Sequence, residues 1–563
     1  MREYLRECIK KYFLFAGIFS FFVNVFNLTF PLYMLAIYDR VLNSFSVPTL
    51  LTISVGALLA VIVMCLLDIL RSKILILASL NIHHSLSDEV LEKTIKKHAR
   101  PEGIGYRYGS RDLQVLRNYL GGSAIFSIFD SPWMPIYLFV VYLIHPYLAI
   151  LAVSGGIASF ILGYLQAKFT SQKFETVRAI EDEMNTWQNI LLTGAETITV
   201  MNMFPGILER WKERNTELLS VLDQSTRLSG IFSSIITSFR TLIPILVYGT
   251  GAYLAIQSKA TPGSIIAASI ITRQFLSPID SMMATWKQTQ DARGAYKRLN
   301  QLFSEYEEKP ETKLPAPKGE ILVEGVNFRI GDKQILANIN FKIQPGEVVV
   351  VVGPSGSGKT TLCRIMLGIY QPTAGTVKID GADISQWDKN ELGKFLGYLP
   401  QDIQLFEGTV AENIARLGSI DSEQVIKAAK LAGAHEMILS LPQGYDTDIG
   451  ERGAKISGGQ RQKIGIARAF YGEPKFIVLD EPNSNLDDMG EKALVAGLKA
   501  LKERKSTIVV VSHRPSVLSI ADKVLVLKDG RIVMFGPTKQ VLQALMGQPA
   551  KQAQRGEVRY ERR

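Results

Sequence analysis

Residues 346–362 of this chain read GEVVVVVGPSGSGKTTL, and they predict a strand that ends in a phosphate-binding loop. The valines are β-branched and apolar, which favours a buried strand of a parallel sheet. Glycines after such a strand let backbone N–H groups curl around a phosphate, while Lys359 can reach the outer phosphates and Thr360 can bind Mg²⁺. The complete spacing makes a chance glycine-rich turn the minor alternative. The candidate phosphate-binding residues are Gly353, Pro354, Ser355, Gly356, Ser357, Gly358, Lys359, Thr360 and Thr361.

A second predicted buried strand carries acids at its end, in the sequence FIVLDE at 476–481. Asp480 is placed to hold Mg²⁺ through water, and Glu481 is placed to polarise a water that attacks the terminal phosphate. Short β-branched runs alternate with helical patterns after the charged, proline-rich stretch YEEKPETKLPAPK at 306–318. The sequence therefore predicts a nucleotide-hydrolysing α/β domain at 319–547, preceded by a linker.

Between these two motifs lies ISGGQRQKIGIARA at 456–469, which closely resembles the signature of ATP-binding-cassette (ABC) proteins, with Ile456 where leucine is usual. Gln401 in YLPQD resembles the Q-loop residue of the cassette, and His513 in VVVSHR resembles its switch histidine. Residues 485–487, NLD, resemble the D-loop. The resemblance implies that the domain is a nucleotide-binding cassette that hydrolyses ATP with Mg²⁺.

The same resemblance implies roles for individual residues. The implied catalytic residues are Glu481, His513 and Gln401, and the implied Mg²⁺ ligands are Thr360, Gln401 and Asp480, the last through water. In the family, the signature completes the ATP site of the opposite subunit, and a helix N-terminus that faces phosphate is consistent with this. One cassette per chain then implies a homodimer with two shared sites. The implied signature contacts to the partner's ATP are Ser457, Gly458, Gly459 and Gln460.

One position departs from the cassette pattern. Cassettes usually place an aromatic residue two positions after the phenylalanine of the first strand, where the ring stacks on adenine. Here the sequence VNFRIGD places Ile330 two residues after Phe328. Either adenine packs on an aliphatic surface, or another ring, such as that of Phe328, replaces the missing one.

The first part of the chain, residues 1–305, predicts an all-α membrane domain with six spans. Stretches without Asp, Glu, Lys or Arg cover 12–38, 41–67 and 131–167, the last divided in two at His145-Pro146. Each stretch exceeds the roughly 20 residues that cross a bilayer core. Two further spans are less apolar because they contain charged residues; they lie near 229–256 and 262–284.

Lysine and arginine predict the orientation of these spans. The net charge is +10, and the basic residues concentrate at the N-terminus, in 71–120 and 168–228, and after residue 286. By the positive-inside rule these segments are cytoplasmic, which predicts a multi-pass membrane protein whose N-terminus and cassette are cytoplasmic. The basic surface then faces membrane lipids rather than nucleic acid. The last residues, 548–563, predict a basic, disordered tail.

The two long cytoplasmic connections, 71–120 and 168–228, have helical patterns, which predicts that membrane helices extend into the cytoplasm. Segments near 111–119 and 200–212 are expected at their far ends. These segments are the candidate coupling helices that would rest on the cassettes. The three cysteines are far apart in the sequence, so neither a disulfide scaffold nor a zinc site is expected.

Three membrane stretches narrow the resemblance: LYMLAIYDRVLNSFSVPTLL (32–51), FDSPWMPIYLFVVYLIHP (129–146) and SIIAASIITRQFLSPID (264–280). Together they resemble the type I secretion ATPases that export proteases and lipases in Gram-negative bacteria. This resemblance implies a location in the bacterial inner membrane, a type IV exporter fold, an unfolded polypeptide as cargo, a periplasmic membrane-fusion adaptor and an outer-membrane channel. The alternative is an exporter of lipids or small amphipathic molecules. A cassette protein that acts on DNA or ribosomes is not expected to have six spans.

Charged residues inside the predicted spans are candidates for the walls of a polypeptide conduit. Asp130 stands at the cytoplasmic end of the third span beside Pro132 and Pro135, and helix breaks at membrane depth are tolerated where they border protein or a water-filled cavity. The alternative is that these charges pair with one another or reach the interface. The conduit candidates are Asp130, Arg240, Arg273 and Asp280.

Overall fold

The structure is a computed structural model that describes residues 2–103, 106, 108–306 and 314–546. The chain forms two compact units, one made almost entirely of residues up to 307 and the other almost entirely of residues from 308 onward. Of the predicted linker at 306–318, residues 307–313 lie outside the described residues, and so does the predicted tail at 548–563.

The described part of the membrane unit consists of helices and short connections. The α-helices are α1 (Arg2–Phe26), α2 (Thr29–Ala36), α3 (Leu42–Ser44), α4 (Val47–His98), α5 (Tyr108–Leu120), α6 (Ser123–Asp130), α7 (Met134–Ile144), α8 (Pro146–Thr193), α9 (Ala195–Val200), α10 (Phe204–Ile256), α11 (Pro262–Ala284) and α12 (Trp286–Glu305). A π-helical turn covers Ile37–Val41, and 3₁₀ turns cover Pro101–Gly103 and Ser131–Trp133.

Within the described residues, five helical segments are long and apolar enough to cross a membrane: Lys10–Ser44, Val47–His98, Ser123–Ile144, Pro146–Thr193 and Phe204–Ile256. They overlap the first five predicted spans. The sixth predicted span is α11, which is long enough at 23 residues but less apolar. It packs against helices α2, α7, α8 and α10, and its buried face includes the small residues Gly263, Ala267 and Ala268. A helix enclosed by other helices needs small residues for close packing more than it needs apolar residues for lipid.

The third span bends where the sequence places its prolines. Helix α6 ends at Asp130, a 3₁₀ turn follows, and α7 starts at Met134. Pro132 and Pro135 therefore stand in the first turn of the 3₁₀ segment and of α7, respectively. A missing N–H costs no hydrogen bond in a first turn, since that group has no partner within the helix. The two prolines thus divide the span into segments instead of disrupting a continuous helix.

The structure shows which helices contain the two candidate coupling segments. Residues 111–119 belong to α5, which packs within the membrane unit against α4 and α12, and Arg298 donates two hydrogen bonds to Asp112, of 2.8 and 2.6 Å. The short helix between the long helices α8 and α10 is α9, so the predicted segment 200–212 falls mostly in the first turns of α10. Val200, the first residue of the predicted segment, ends α9, and Met201 follows it; both side chains are exposed.

The nucleotide-binding unit contains two sheets. The strands are β1 (Ile321–Ile330), β2 (Lys333–Ile343), β3 (Val348–Val352), β4 (Ala374–Ile379), β5 (Ala382–Asp383), β6 (Leu396–Leu399), β7 (Phe476–Asp480), β8 (Thr507–Val511), β9 (Lys523–Lys528) and β10 (Arg531–Pro537). One sheet is antiparallel in the order β2-β1-β4-β5. The other has the order β10-β9-β3-β8-β7-β6, in which β9, β3, β8, β7 and β6 are parallel.

Helices cover this parallel sheet. They are α13 (Lys359–Met366), α14 (Lys389–Phe395), α15 (Val410–Ile414), α16 (Ser422–Leu431), α17 (His435–Leu439), α18 (Gly458–Phe470), α19 (Asp488–Glu503), α20 (Pro515–Leu518) and α21 (Thr538–Met546), with 3₁₀ turns at Gly444–Asp446 and Glu451–Gly453. One apolar core joins the sheet to α15, α16, α18 and α19. A second core joins its other face to α13 and to the antiparallel sheet. The valines of β3 serve both cores, which explains why every residue of this run is apolar.

Candidate functional site

The strand order brings the predicted nucleotide-site residues to one edge of the parallel sheet. Neighbouring strands β3, β8, β7 and β6 are parallel, so their carboxyl ends lie together. The glycine-rich loop follows β3, His513 follows β8, and Glu481 follows β7. Gln401 comes two residues after β6. Ligands of open α/β sheets bind outside the carboxyl ends of the strands, so this edge is the candidate site.

The loop after β3, residues 353–361, is built for close backbone approach; we call it the P-loop. A Cβ on Gly353 would stand 2.0 Å from the carbonyl oxygen of Leu527, which only glycine avoids. Gly358 precedes α13 with φ of +99°, a conformation that favours glycine. Lys359 Nζ donates to the carbonyl oxygens of Gly353 and Pro354, at 2.8 and 2.9 Å. The ammonium group is therefore held over the loop, within the turn that would hold phosphate.

Two buried polar atoms at this edge have no hydrogen-bond partner among the described residues. They are Ser357 Oγ and Asp480 Oδ2, on side chains that are 3% and 2% exposed. Leaving a buried polar atom unpaired is unfavourable, so such atoms indicate a place for a ligand. A phosphate oxygen can accept from the serine hydroxyl, and a hydrated divalent cation can donate through its water to the carboxylate. The residues present therefore fit a nucleotide with Mg²⁺.

Asp480 and Glu481 have different surroundings although they are adjacent. Burial raises the pKa of Asp480, a hydrogen bond from Thr360 lowers it, and the charge of Glu481 raises it again. Glu481 is half-buried and has φ of +49°, while its N–H donates to the carbonyl of Val511 at 3.0 Å. A left-handed conformation in a non-glycine residue is strained, and strain of this kind clusters at functional sites. Here it turns the chain sharply after β7 and directs Glu481 away from the strand.

Gln401 and His513 lie on either side of these acids. Gln401 Nε2 donates to Glu481 Oε2 at 3.3 Å, so the structure brings together two of the three predicted catalytic residues. His513 is exposed and stands two residues beyond Val511, whose strand position pairs with Asp480. The hydroxyl of the neighbouring Ser512 donates to Asn483 at 3.2 Å. The third predicted catalytic residue is thus tied to the loop that follows Glu481.

The signature residues open helix α18. The Ser457 hydroxyl accepts from the N–H of Gln460 at 3.3 Å, and the Gln460 side chain accepts from the N–H of Ser457 at 2.8 Å, which is a capping box. Ser457 and Gly458 are exposed. Among the described residues, no hydrogen bond joins Ser457, Gly458, Gly459 or Gln460 to the P-loop. The signature is therefore a preorganised helix start that presents its N–H groups to the surface.

Sequence reasoning missed three buried polar residues behind this edge: Gln462, Asn483 and Ser512. Gln462 is 2% exposed and its amide donates to the carbonyl of Pro482 at 2.6 Å. Asn483 and Ser512 are 7% and 2% exposed. The sequence offered one indication, because polar residues inside an apolar helix or at the end of a buried strand need partners. It could not show which partners they have, since these come from segments 20 or more residues away.

The position that departs from the cassette pattern is exposed. Ile330 ends β1 and is 45% exposed, whereas Phe328 is 3% exposed and stacks on Tyr370, with ring centroids 5.4 Å apart. The register of β1 against β2 shifts between Phe328 and Arg329, which separates the two side chains in spite of their spacing. Phe328 is therefore a core residue and is not the ring that could replace the missing aromatic.

Asp130, the first conduit candidate, belongs to a polar cluster around the buried Arg71 in the membrane unit. Its Oδ1 accepts from Arg71 Nη1 at 2.7 Å and from Asn24 Nδ2 at 2.9 Å. Arg71 also donates to Asp68 at 2.6 Å and to Ser20 at 3.0 Å. Arg71 is 5% exposed, and its Nε has no partner among the described residues. These contacts join helices α1, α4 and α6, so Asp130 occurs in the paired arrangement left open by the sequence.

The other conduit candidates lie on α10 and α11. Arg240 Nη1 and Asp280 Oδ2 are 3.2 Å apart, with side chains 42% and 18% exposed. This pair joins the two helices and again matches the pairing alternative. Arg273 lies two turns before Asp280, is exposed, and forms no ion pair within the described part of the chain. Of the four candidates, Arg273 is therefore the one without an ion pair among the described residues.

Comparisons with known proteins agree with both halves of the chain. The family model described as ABC transporter transmembrane region matches residues 13–279, and the model described as ABC transporter matches residues 336–484. The type I secretion system ATP-binding protein PrsD of Rhizobium meliloti (strain 1021) is 36% identical over 96% of this chain and 93% of its own length. The toxin RTX-I translocation ATP-binding protein of Actinobacillus pleuropneumoniae is 30% identical over 95% of this chain and 76% of its own length.

A solved structure supports the architecture. A bacterial Atm1-family ABC exporter with ATP bound superposes with a TM-score of 0.82, covering 98% of this chain and 99% of its own, at 23% sequence identity. At that identity the likeness concerns the fold alone. It confirms the predicted fold class, a helical type IV exporter membrane domain fused to an α/β nucleotide-binding domain.

Proposed function

This chain belongs to the ABC transporters, and we propose that it exports unfolded polypeptides across the bacterial inner membrane as the ABC component of a type I secretion system. Hydrolysis of ATP coupled to transport follows from the family. The observation that carries the cargo proposal is the 36% identity to a type I secretion protein over 96% of the chain, because this match includes the membrane unit that would contact cargo. The proposal extends to a periplasmic adaptor, an outer-membrane channel and surrounding membrane lipids as partners, and not to nucleic acid.

In the proposed nucleotide site, each residue has a defined task. The P-loop N–H groups, Lys359 and Ser357 bind the phosphates. Thr360, Gln401 and, through water, Asp480 would hold Mg²⁺, which would neutralise charge on the phosphates when bound. Glu481 orients the attacking water, and its contact with Gln401 at 3.3 Å keeps it next to the metal ligands. His513, which is exposed and follows the neighbouring strand β8, would contact the terminal phosphate.

The active form is proposed to be a homodimer with two shared ATP sites. The exposed, capped start of α18 supports this proposal, because free N–H groups at a helix N-terminus attract phosphate. Mixing two defective chains tests it. A chain with Lys359→Ala lacks a working P-loop, and a chain with Ser457→Arg lacks a working signature. A mixed dimer retains one site with both parts intact, so ATP hydrolysis should partly recover, provided that one working site suffices for some turnover. Absence of recovery in verified mixed dimers would reject shared sites.

The cargo proposal is tested with purified protein in lipid vesicles. ATP hydrolysis is measured alone, with an unfolded secretion substrate, and with added lipids or small amphipathic molecules. Stimulation by the polypeptide, absent with a scrambled version of its sequence, is expected. Stimulation by lipids or small molecules only would favour the alternative exporter. Within the proposed conduit, Arg273 is the wall residue that we retain, because the other three candidates are paired.

A further inference from the structure

One hydrogen bond links the signature helix to the catalytic loop within the same chain. Gln462 lies one turn after Gly458 in α18, and its Nε2 donates to the carbonyl oxygen of Pro482, the residue after Glu481, at 2.6 Å. The side chain is 2% exposed, so water does not compete for this bond. Pro482 is itself buried, so no water can replace Gln462 as the donor to its carbonyl oxygen. The position of Pro482 therefore follows that of Gln462.

The first turns of α18 also touch the rest of that loop. A Cβ on Gly459 would stand 3.1 Å from the carbonyl oxygen of Asn485, and Lys463 Nζ lies 3.8 Å from Asp487. The close approach at Gly459 is not a hydrogen bond, and the Lys463–Asp487 pair is long and partly exposed. The Gln462 hydrogen bond is short and buried. Gln462 is thus the strongest polar connection between α18 and the residues that follow Glu481.

The loop continues this connection to the switch histidine. Asn483, two residues after Glu481, accepts from the hydroxyl of Ser512, which directly precedes His513. Both side chains are buried. The path therefore runs from the signature helix through Gln462 and Pro482 to Glu481, and through Asn483 and Ser512 to His513. Every step lies within one nucleotide-binding unit.

We propose that Gln462 is a positioning residue that links the two ATP sites of the dimer, because it joins the signature that serves one site to the catalytic loop that serves the other. The inference rests on the proposed shared sites. In each chain, Glu481 and His513 act on the ATP bound by that chain, whereas Ser457 and Gly458 face the ATP of the partner. A shift of either group is transmitted to the other by the buried amide.

The mixed dimer described above provides the test, because only one of its sites works. That site takes its P-loop and Glu481 from the Ser457→Arg chain and its signature from the Lys359→Ala chain. Gln462→Met keeps a similar volume and removes the donor. Placed in the Ser457→Arg chain, it acts on the working site through Glu481. Placed in the Lys359→Ala chain, it acts on the same site through the signature. We expect each placement to lower the rate of ATP hydrolysis by about three- to tenfold, the effect of one hydrogen bond.

Ser506→Ala is the matched control. Ser506 is 2% exposed and donates to the carbonyl of Pro474 at 2.7 Å, so it makes a buried bond of the same kind. It lies where β7 and β8 begin, at the opposite edge of the sheet from the site. Ser506→Ala should lower the melting temperature as much as Gln462→Met does, because each variant loses one buried hydrogen bond. It should change the hydrolysis rate by less than about twofold, because the lost bond is far from the nucleotide site.

The outcomes separate the possible failures. A lower rate from only one placement of Gln462→Met overturns the link, since the residue then serves one site. Equal rates for Gln462→Met and Ser506→Ala in both placements also overturn it, since the bond is then only structural. If the starting mixed dimer shows no hydrolysis, the shared sites themselves are rejected. Should Gln462→Met fail to fold, Gln462→Asn retains the amide but shortens its reach, and the same two placements give the same decision.

Discussion

Two aspartates, Asp130 in the membrane unit and Asp480 in the nucleotide-binding unit, show how differently the two regions use charge. Asp130 Oδ1 accepts from Arg71 and from Asn24, at 2.7 and 2.9 Å. Asp480 is 2% exposed, and its Oδ2 has no partner among the described residues. The first carboxylate is occupied by the protein, and the second keeps capacity for a ligand. Buried charge therefore indicates a binding site only where partners within the chain leave it incompletely paired.

The largest expected effect is at Glu481, which follows the incompletely paired Asp480. Glu481→Gln removes the carboxylate that orients the attacking water, and turnover should fall by about 10²–10⁴-fold, the range for a general base. Nucleotide binding should persist, since the P-loop is unchanged, and the melting temperature should change little. Glu503→Gln, at the exposed end of α19, is the control for the same change elsewhere. ATP hydrolysis, nucleotide binding and thermal unfolding are measured together.

Two results for Glu481→Gln would contradict the contrast between the two regions. If Glu481→Gln lowered the melting temperature strongly, this residue would be a structural charge like Asp130. If turnover stayed near that of the unchanged protein, the water-orienting role would be wrong. Lys359→Ala provides a second reference, because it should weaken nucleotide binding itself.

The second prediction concerns the paired cluster in the membrane unit. Asp130→Leu leaves the buried Arg71 with Asp68 as its remaining carboxylate, and breaking a buried pair typically costs about 3–5 kcal/mol. We expect a loss near the lower end, about 3 kcal/mol, because Asp68 remains. Replacing both residues, Arg71→Met with Asp130→Leu, should restore much of that stability. Thermal unfolding in detergent measures it, and Asp223→Leu, which breaks an exposed pair in α10, is the control.

Comparing basal ATP hydrolysis with polypeptide export shows whether this cluster has only a structural role. It should remain near normal in the Asp130→Leu/Arg71→Met protein once folding is restored. A selective loss of polypeptide export in that stable double variant would instead return Asp130 to the conduit.

These two aspartates also show how far the sequence could predict the molecule. The P-loop, Asp480, Glu481 and Gln401 were predictable because each follows a buried strand, and parallel strands bring their ends to one edge. The pairing of Asp130 was not predictable, since Arg71 lies 59 residues away, in a segment predicted to be a cytoplasmic connection. Local spacing fixes which residues share a strand end or a helix face. It does not fix which helices pack together.

The same limit applies to two further positions. Phe328 and Ile330 should share a strand face by spacing, but the register shift in β1 buries one side chain and exposes the other. The sixth span, α11, was less apolar than a lipid-facing helix because its surface is covered by other helices. In both cases a tertiary contact overrides the local pattern.

The third prediction concerns the apolar part of the nucleotide site. If the phosphate-binding groups supply most of the affinity, the base contributes little at the exposed Ile330. ATP and GTP should then be hydrolysed with similar efficiency. Ile330→Tyr adds a ring that can stack on adenine, which is worth roughly 1–3 kcal/mol. The KM for ATP should fall by up to about tenfold, which corresponds to about 1.4 kcal/mol. Initial rates with both nucleotides measure the effect, and Ile330→Leu is the control without a ring.

An unchanged KM, together with a strong preference of the unmodified protein for ATP, would contradict this prediction. It would mean that another ring holds the adenine. Phe328 would not be that ring, because it is 3% exposed and stacked on Tyr370.

The smallest expected effect is at Arg240 and Asp280, whose pairing is intermediate between that of Asp130 and that of Asp480. Their charged atoms are 3.2 Å apart, but Arg240 is 42% exposed, so the pair holds the fold less firmly than the Arg71 cluster does. Polar contacts between membrane helices average about 0.6 kcal/mol in double-mutant cycles, with a maximum of about 1.7. A cycle of Arg240→Gln, Asp280→Asn and the double variant should therefore give a coupling below about 1 kcal/mol in thermal unfolding. Arg273, on the same helix as Asp280, has no ion pair to lose among the described residues, so Arg273→Gln should leave stability unchanged.

Measuring polypeptide export then shows whether Arg240 and Asp280 serve the fold alone or also serve transport. If Arg240 and Asp280 serve the fold alone, the single variants should lower export only as far as they lower stability, and the double variant should recover both. Arg273→Gln should lower export at unchanged stability, because an exposed and unpaired charge is free to contact a passing chain. A loss of export in the double Arg240 and Asp280 variant at full stability would show that a charge paired in this structure also serves transport. Pairing alone would then no longer separate structural charges from functional ones.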